Sequence, residues 1–170
     1  LICLSLSCGN INSKKFTHPG ILHTEQRFKQ IKNLINNKSQ PSYASFLILK
    51  AHPCSQADYQ MKGPFEIISR DGKYAYTKSK MESDFSAAYQ NALMWKLTGN
   101  KPHAEKSLEI LKAYAHSLKR IPDTNDAPLL AGLEGFKIIY ALEILRYSNS
   151  PMSQSDYKDI KSMFTSLFLP

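Results

Sequence analysis

From residue 83 onward one pattern recurs. Apolar residues fall three and four apart, and each run is closed by a helix breaker. Asp84 caps a first helix with Phe85, Ala88, Tyr89, Ala92, Met94 and Trp95 on its apolar face, and Gly99-Asn100 ends it. Pro102 opens the next, which carries Ala104, Leu108, Leu111, Ala115 and Leu118. Lys119-Arg120 suits its C-terminus and Pro122 stops it. Asn125 or Asp126 caps a third, with Leu130, Leu133, Phe136, Ile139 and Tyr140 along one face, up to the breaker Asn149-Ser150-Pro151. Ser153 or Ser155 starts a last helix through Tyr157, Ile160, Met163, Phe164 and Leu167. The class is all-α. Helical hairpins in series either stack as a solenoid or close as a toroid. The first hairpin, 83–118, should hold Tyr89, Trp95, Leu108 and Leu111 in its inner seam.

The first half is less regular. Thr24 caps a helix over 25–37 that carries Phe28, Ile31 and Ile35, and Pro41 opens a second helix to about residue 51. Residues 52–82 have no period and contain the breakers His52-Pro53, Gly63-Pro64 and Asp71-Gly72. The spacing predicts a long loop, with 60–80 as a mobile lid. It is rich in cations and rings: Lys62, Arg70, Lys73, Lys78 and Lys80, with Tyr59, Phe65, Tyr74 and Tyr76. Cations pair with carboxylates and rings stack on sugar faces, so the stretch suits a sugar acid.

Composition narrows the function classes. A chain of 170 residues with 42% apolar and 21% charged residues is neither disordered nor low-complexity. Its three cysteines provide no disulfide framework, and no CxxC or Cys/His cluster suggests zinc. GxGxxG, P-loop, HExxH and GxSxG motifs are all missing. The formal charge of +8 is unevenly spread: residues 1–82 hold 12 Lys+Arg against 5 Asp+Glu, and residues 83–170 hold 10 against 9. Such a surface attracts polyanions. Without basic-aromatic interleaving nucleic acid is a weak candidate; an acidic polysaccharide fits the same charge, and so does a plain solvated surface.

The chain begins Leu1-Ile2-Cys3-Leu4-Ser5-Leu6-Ser7-Cys8-Gly9-Asn10, apolar and small and then polar, like the tail of an export signal. Ser7-Cys8-Gly9 resembles the end of a bacterial lipoprotein signal, with Cys8 as the lipidated residue; the alternative is a plain signal-peptide remnant. Residues 1–17 are therefore read as signal remnant and tether. The expected location is periplasmic or lipid-anchored at the cell envelope, with any membrane contact made through that anchor. At Ser166-Leu167-Phe168-Leu169-Pro170 an apolar face is still running. The expectation is a piece of a longer protein whose last hairpin leaves Ile160, Met163, Phe164 and Leu167 uncovered.

Several segments, in order, resemble one known family. They are His18-Pro19-Gly20-Ile21-Leu22-His23-Thr24, Ile68-Ser69-Arg70-Asp71-Gly72, and the run from Ala87 through Asn100 that includes Gln90-Asn91-Ala92-Leu93-Met94-Trp95. The stretches Ala104–Ala115, Ala131-Gly132-Leu133-Glu134-Gly135-Phe136-Lys137 and Ala141-Leu142-Glu143-Ile144-Leu145-Arg146 continue the series. Across residues 18–170 the chain resembles the N-terminal part of an alginate lyase domain. The resemblance implies part of an incomplete (α/α) toroid in an exported enzyme that cleaves polyuronates by β-elimination without a metal or organic cofactor. It also implies that the carboxylate-neutralising Asn and His and the catalytic Tyr belong to a later part of the domain. Taken alone, these 170 residues are then expected to be inactive.

The same resemblance puts Arg70, Tyr74 and Tyr76 in a substrate-binding loop. Arg70 would clamp a uronate carboxylate, and Tyr74 or Tyr76 would cover the sugar, one of them assisting proton transfer. Asn91 is a further candidate for substrate contact, although an amide in an apolar helix pattern is also read as a satisfied buried group. For Arg70 the alternative is an ion pair with Asp71 or Glu66. Glu134 and Lys137 read as a surface pair, His103 as exposed, and His18 and His23 as residues packing the first turn. Cys54 is a lone thiol with no partner pattern. The alternative reading of the whole chain is a non-catalytic helical module that binds glycans or proteins.

Overall fold

In the computed structural model the described residues are 16–20 and 22–169, and they are all-helical. Six α-helices follow in order: α1 Glu25–Asn36, α2 Ser42–Ala51, α3 Lys78–Thr98, α4 Lys101–Ser117, α5 Ala127–Arg146 and α6 Gln154–Leu167. Short 3-10 turns lie at Pro53–Ser55 and Gly72–Thr77. An isolated bridge between Ile67 and Arg120 is the one strand-like pairing among the described residues.

The ends of the helices follow local chemistry. Thr24 Oγ1 accepts from Arg27 N at 3.2 Å, which satisfies one of the first free amides of α1. Gly99 closes α3 at φ 73°, a left-handed conformation that costs glycine nothing. Ser153 and Asp156 form a capping box at the start of α6, with Ser153 Oγ accepting from Asp156 N at 3.1 Å and Asp156 Oδ2 accepting from Ser153 N at 2.9 Å.

The expected start of α3 is corrected. Asp84 does not cap the helix but sits inside it, fully buried, because its carboxylate organises the core. Its Oδ1 accepts from Tyr59 OH and Lys62 N, each at 2.9 Å, and its Oδ2 accepts from Gly63 N and Tyr114 OH, each at 2.8 Å. Four donors around one buried carboxylate join the segment before α3 to α4. Gly63 fits there because an added Cβ would come within 2.5 Å of the Tyr114 hydroxyl. Residues 52–82 are therefore not one long loop. Both 3-10 turns and the first turn of α3 lie within them.

Bonds between α3 and α4 descend one helix while climbing the other. His103 Nδ1 meets Asn91 Oδ1 at 2.8 Å, Ser107 Oγ donates to Ala88 O at 2.7 Å, and Tyr114 donates to Asp84. The two helices run antiparallel, and the seam between them is as expected for Leu108 and Leu111, which are both buried. Tyr89 and Trp95 are half-buried, and Trp95 Nε1 donates to Ser148 Oγ at 2.8 Å. One core extends through Phe85, Ile110, Leu111, Tyr114, Leu130, Ile138, Leu145 and Ile160.

Two expectations about packing are corrected. Ile160 and Met163 are not left uncovered: α6 packs on α4 and α5 and buries both. On α5 the buried side carries Leu130, Glu134, Ile138, Ala141 and Leu145, whereas Leu133 and Phe136 remain 44% and 43% exposed. Helix α5 is apolar nearly all round, so apolar spacing could not choose its inward side.

Candidate functional site: a charged groove between α3 and α5

The charged side chains converge on a groove of about 710 Å³. Its α3 wall carries Ser79, Glu82, Ser83, Ser86 and Gln90, residues three and four apart and hence on one helical face. Leu133, Glu134, Phe136 and Lys137 form the α5 wall, and the segment before α3 adds His52, Cys54 and Arg70.

The groove is cationic and acidic in pairs. Arg70 Nη1 donates to Glu82 Oε1 at 2.7 Å, and its Nε lies 3.5 Å from Asp126 Oδ2. Lys137 Nζ donates to Glu134 Oε2 at 2.8 Å and to Ser86 Oγ at 3.1 Å. Glu134 is buried. Burial pushes its carboxyl up, against the pull of Lys137. Arg70 Nε and Gln90 Oε1 are enclosed polar atoms with no hydrogen-bond partner. Burial raises the Cys54 thiol above its ordinary range, which leaves it an unreactive wall group.

Arg70 lines the groove and is ion-paired, the alternative read for it, but with Glu82 and Asp126 rather than Asp71 or Glu66. Tyr74 and Tyr76 are in the 3-10 turn Gly72–Thr77 and do not line the groove. Thr77 fixes that turn, accepting from Ser69 N at 3.1 Å and donating to Tyr74 O at 2.8 Å. Tyr76 is 59% exposed and packs edge-on against Phe65; Lys73 lies over the half-buried Tyr74 ring.

Asn91 has no exposed surface. Its amide nitrogen donates to Cys54 O at 2.9 Å, Gln56 O at 3.2 Å and Ala87 O at 3.0 Å, and its oxygen meets His103. With every polar atom engaged, Asn91 holds the 54–56 segment against α3 and is a positioning residue, not a substrate contact. The same bond overturns the expectation that His103 is exposed: it is buried, and burial lowers its pKa, favouring the neutral ring. Cys8 lies outside the described residues.

Other polar residues gained roles that their spacing did not announce. Glu134 and Lys137 do pair, but the pair forms a groove wall and not a surface bridge. The stripe Ser79, Glu82, Ser86 and Gln90 would have been legible had α3 been started at residue 78. Near the first turn, His18 Nδ1 meets Glu143 Oε1 at 2.6 Å and Gly20 N donates to the same oxygen at 3.1 Å. His23 hydrogen-bonds Tyr89 among Phe28 and Tyr140. Burial lowers the pKa of His23 and raises the Tyr89 phenol to about 12, so both stay neutral and pack the start of the fold.

Among the described residues no cluster of three or more His, Cys, Asp or Glu side chains is arranged to hold a metal ion. No helix among them is long and apolar enough to cross a membrane. No family model, curated protein or solved structure matches the chain.

Proposed function

We propose that the chain is part of an exported polysaccharide lyase that cleaves alginate or a related polyuronate by β-elimination, and that the α3–α5 groove is a wall of its substrate cleft. The observation that carries this reading is the pair of cations, Arg70 and Lys137, that line one open groove, each held by a buried or half-buried carboxylate. Held cations bind an anionic polymer with little ordering cost. A uronate carboxylate must be neutralised as its C5 proton leaves, and fixed cations favour that charge. On this reading the serial helices are hairpins of an incomplete (α/α) toroid, an arrangement that the antiparallel α3–α4 pair supports. Export, and lipidation at Cys8, belong to the same proposal.

A second reading has its own support. The groove is lined by no tyrosine, and its carboxylates are engaged by Arg70 and Lys137. A wall whose carboxylates are paired, and whose His52 Nδ1 already accepts from Cys54 N at 3.1 Å, suits a module that binds polyuronate without cleaving it. Titrating the chain with polyuronate and with neutral glucan tests both readings. Binding of polyuronate alone, weakened about tenfold or more in Arg70→Ala and Lys137→Ala, is the expected result. Equal binding of the glucan, or no change in either variant, sinks both readings. Ultraviolet absorbance of unsaturated products, assayed on the longer protein of which the first reading makes this chain a part, then separates lyase from binding module.

A further inference from the structure

We infer that the α1–α2 face is a docking surface for an anionic phospholipid bilayer. From Gln26 to Ala57 the chain contains no Asp or Glu, yet it carries Arg27, Lys29, Lys32, Lys38 and Lys50. The carboxylate at the start of α1, Glu25, is already bound by Lys96 Nζ at 2.6 Å. The face is therefore uniformly cationic.

It is also apolar where a folded surface gains nothing from being apolar. Helix α2 has the sequence SYASFLILKA and contains no buried residue. Ile48 is 72% exposed and Leu47 44%, while Leu34 on α1 is 36% exposed. Behind them α1, α2 and α3 leave an apolar groove of about 330 Å³ that includes Ile31, Ile35, Phe46 and Leu49. On α2, Lys50 stands at helical spacing from Leu47, three residues beyond it, and Lys38 follows Leu34 just past the end of α1.

This combination selects the occupant. A polyuronate or nucleic acid would use the cations but gain nothing from Ile48 and Leu47. An apolar protein partner would use Ile48 but not an unbroken set of cations. An anionic bilayer uses both: the apolar side chains enter the acyl boundary while the lysine stems extend to lipid phosphates. Each cation near such a surface raises partitioning about fivefold, and one buried isoleucine raises it about tenfold or more. The contact is independent of any lipid on Cys8 and of the α3–α5 groove.

The test uses the full chain carrying Cys8→Ser, so that acylation contributes nothing. Co-sedimentation is measured with phosphatidylglycerol vesicles and with phosphatidylcholine vesicles. The expected result is binding to the first, loss with added salt, and little binding to the second. Leu47→Asp/Ile48→Asp should reduce binding about tenfold or more, and Lys38→Gln/Lys50→Gln should reduce it severalfold. Both pairs are exposed, so helicity by circular dichroism should be unchanged. Equal binding to both vesicle types overturns the proposal. So does phosphatidylglycerol binding that ignores the Asp pair, including the case in which soluble polyuronate competes for a purely ionic contact.

Discussion

At the scale of single residues, Asp84 is the main organiser of the core. It replaces an expected helix cap with a buried anion that holds two tyrosine hydroxyls and two backbone amides. Burial first, and then the Asp84 charge, push the Tyr59 and Tyr114 phenols above their ordinary value, so both remain donors. Asp84→Ala would leave four donors without an acceptor, two of them on tightly packed tyrosines. We expect a loss of about 3 kcal/mol or more in urea unfolding, because each unsatisfied buried donor costs about 1–3 kcal/mol. Tyr114→Phe removes one donor with its bond and should cost about 1 kcal/mol. A loss for Asp84→Ala no larger than that for Tyr114→Phe would show that Asp84 is not the organiser. The role of Asp84 was not legible in the sequence, and that of Asn91 only as one of two readings, a satisfied buried amide beside a substrate contact. A polar residue within an apolar run reads equally well as a cap, an exposed group or a buried hub, and only the partners brought to it by remote segments decide.

Single helices were far more legible, because their signals are local. Thr24, Gly99 and Ser153 each terminate a helix through bonds within a few residues, and the sequence places the first two outright and Ser153 as one of two candidates with Ser155. Where no cap is present the reading fails: α3 starts at Lys78 directly after the 3-10 turn Gly72–Thr77, with no side-chain capping bond to mark it. The cap of α6 also gives a pH dependence. Burial would raise the carboxyl of Asp156, but the Lys112 ammonium and the Ser153 amide and hydroxyl outweigh it and hold the group down at about 2, from 3.8. The unfolded chain thus takes up a proton at higher pH than the folded chain does. This contribution is complete above about pH 4, declines as pH falls, and is gone below about 2. Asp156→Asn should remove that part of the acid limb of a stability-versus-pH curve. Ser153→Ala should cost about 1 kcal/mol at neutral pH. An acid limb identical in Asp156→Asn and the parent would show that the box carries no such charge.

For the whole molecule the governing fact is that helices distant in sequence share one core. Phe85 of α3 packs against Tyr114 of α4 at 4.7 Å between ring centres and against Phe168, just beyond α6, at 6.2 Å. Helical periodicity predicted an all-helical chain, but not that α6 would pack on α4 and α5, because amphipathic spacing gives a helix an apolar face without saying what covers it. With Ile160 and Met163 buried on α4 and α5, α6 is part of the cooperative unit rather than a loose appendage. Two probes can test this, since Trp95 reports the junction of α3 with Ser148 and far-ultraviolet circular dichroism reports all six helices. In urea the two transitions should coincide. Ile160→Ala removes a fully buried side chain 65 residues beyond Trp95, and it should lower both midpoints together, by an amount equivalent to about 2–5 kcal/mol. If α6 were an independent element, the helical signal would fall early while Trp95 fluorescence held its original midpoint. A split of that kind in Ile160→Ala would refute a single core, whereas a common shift would establish that α6 belongs to the same cooperative unit as α3.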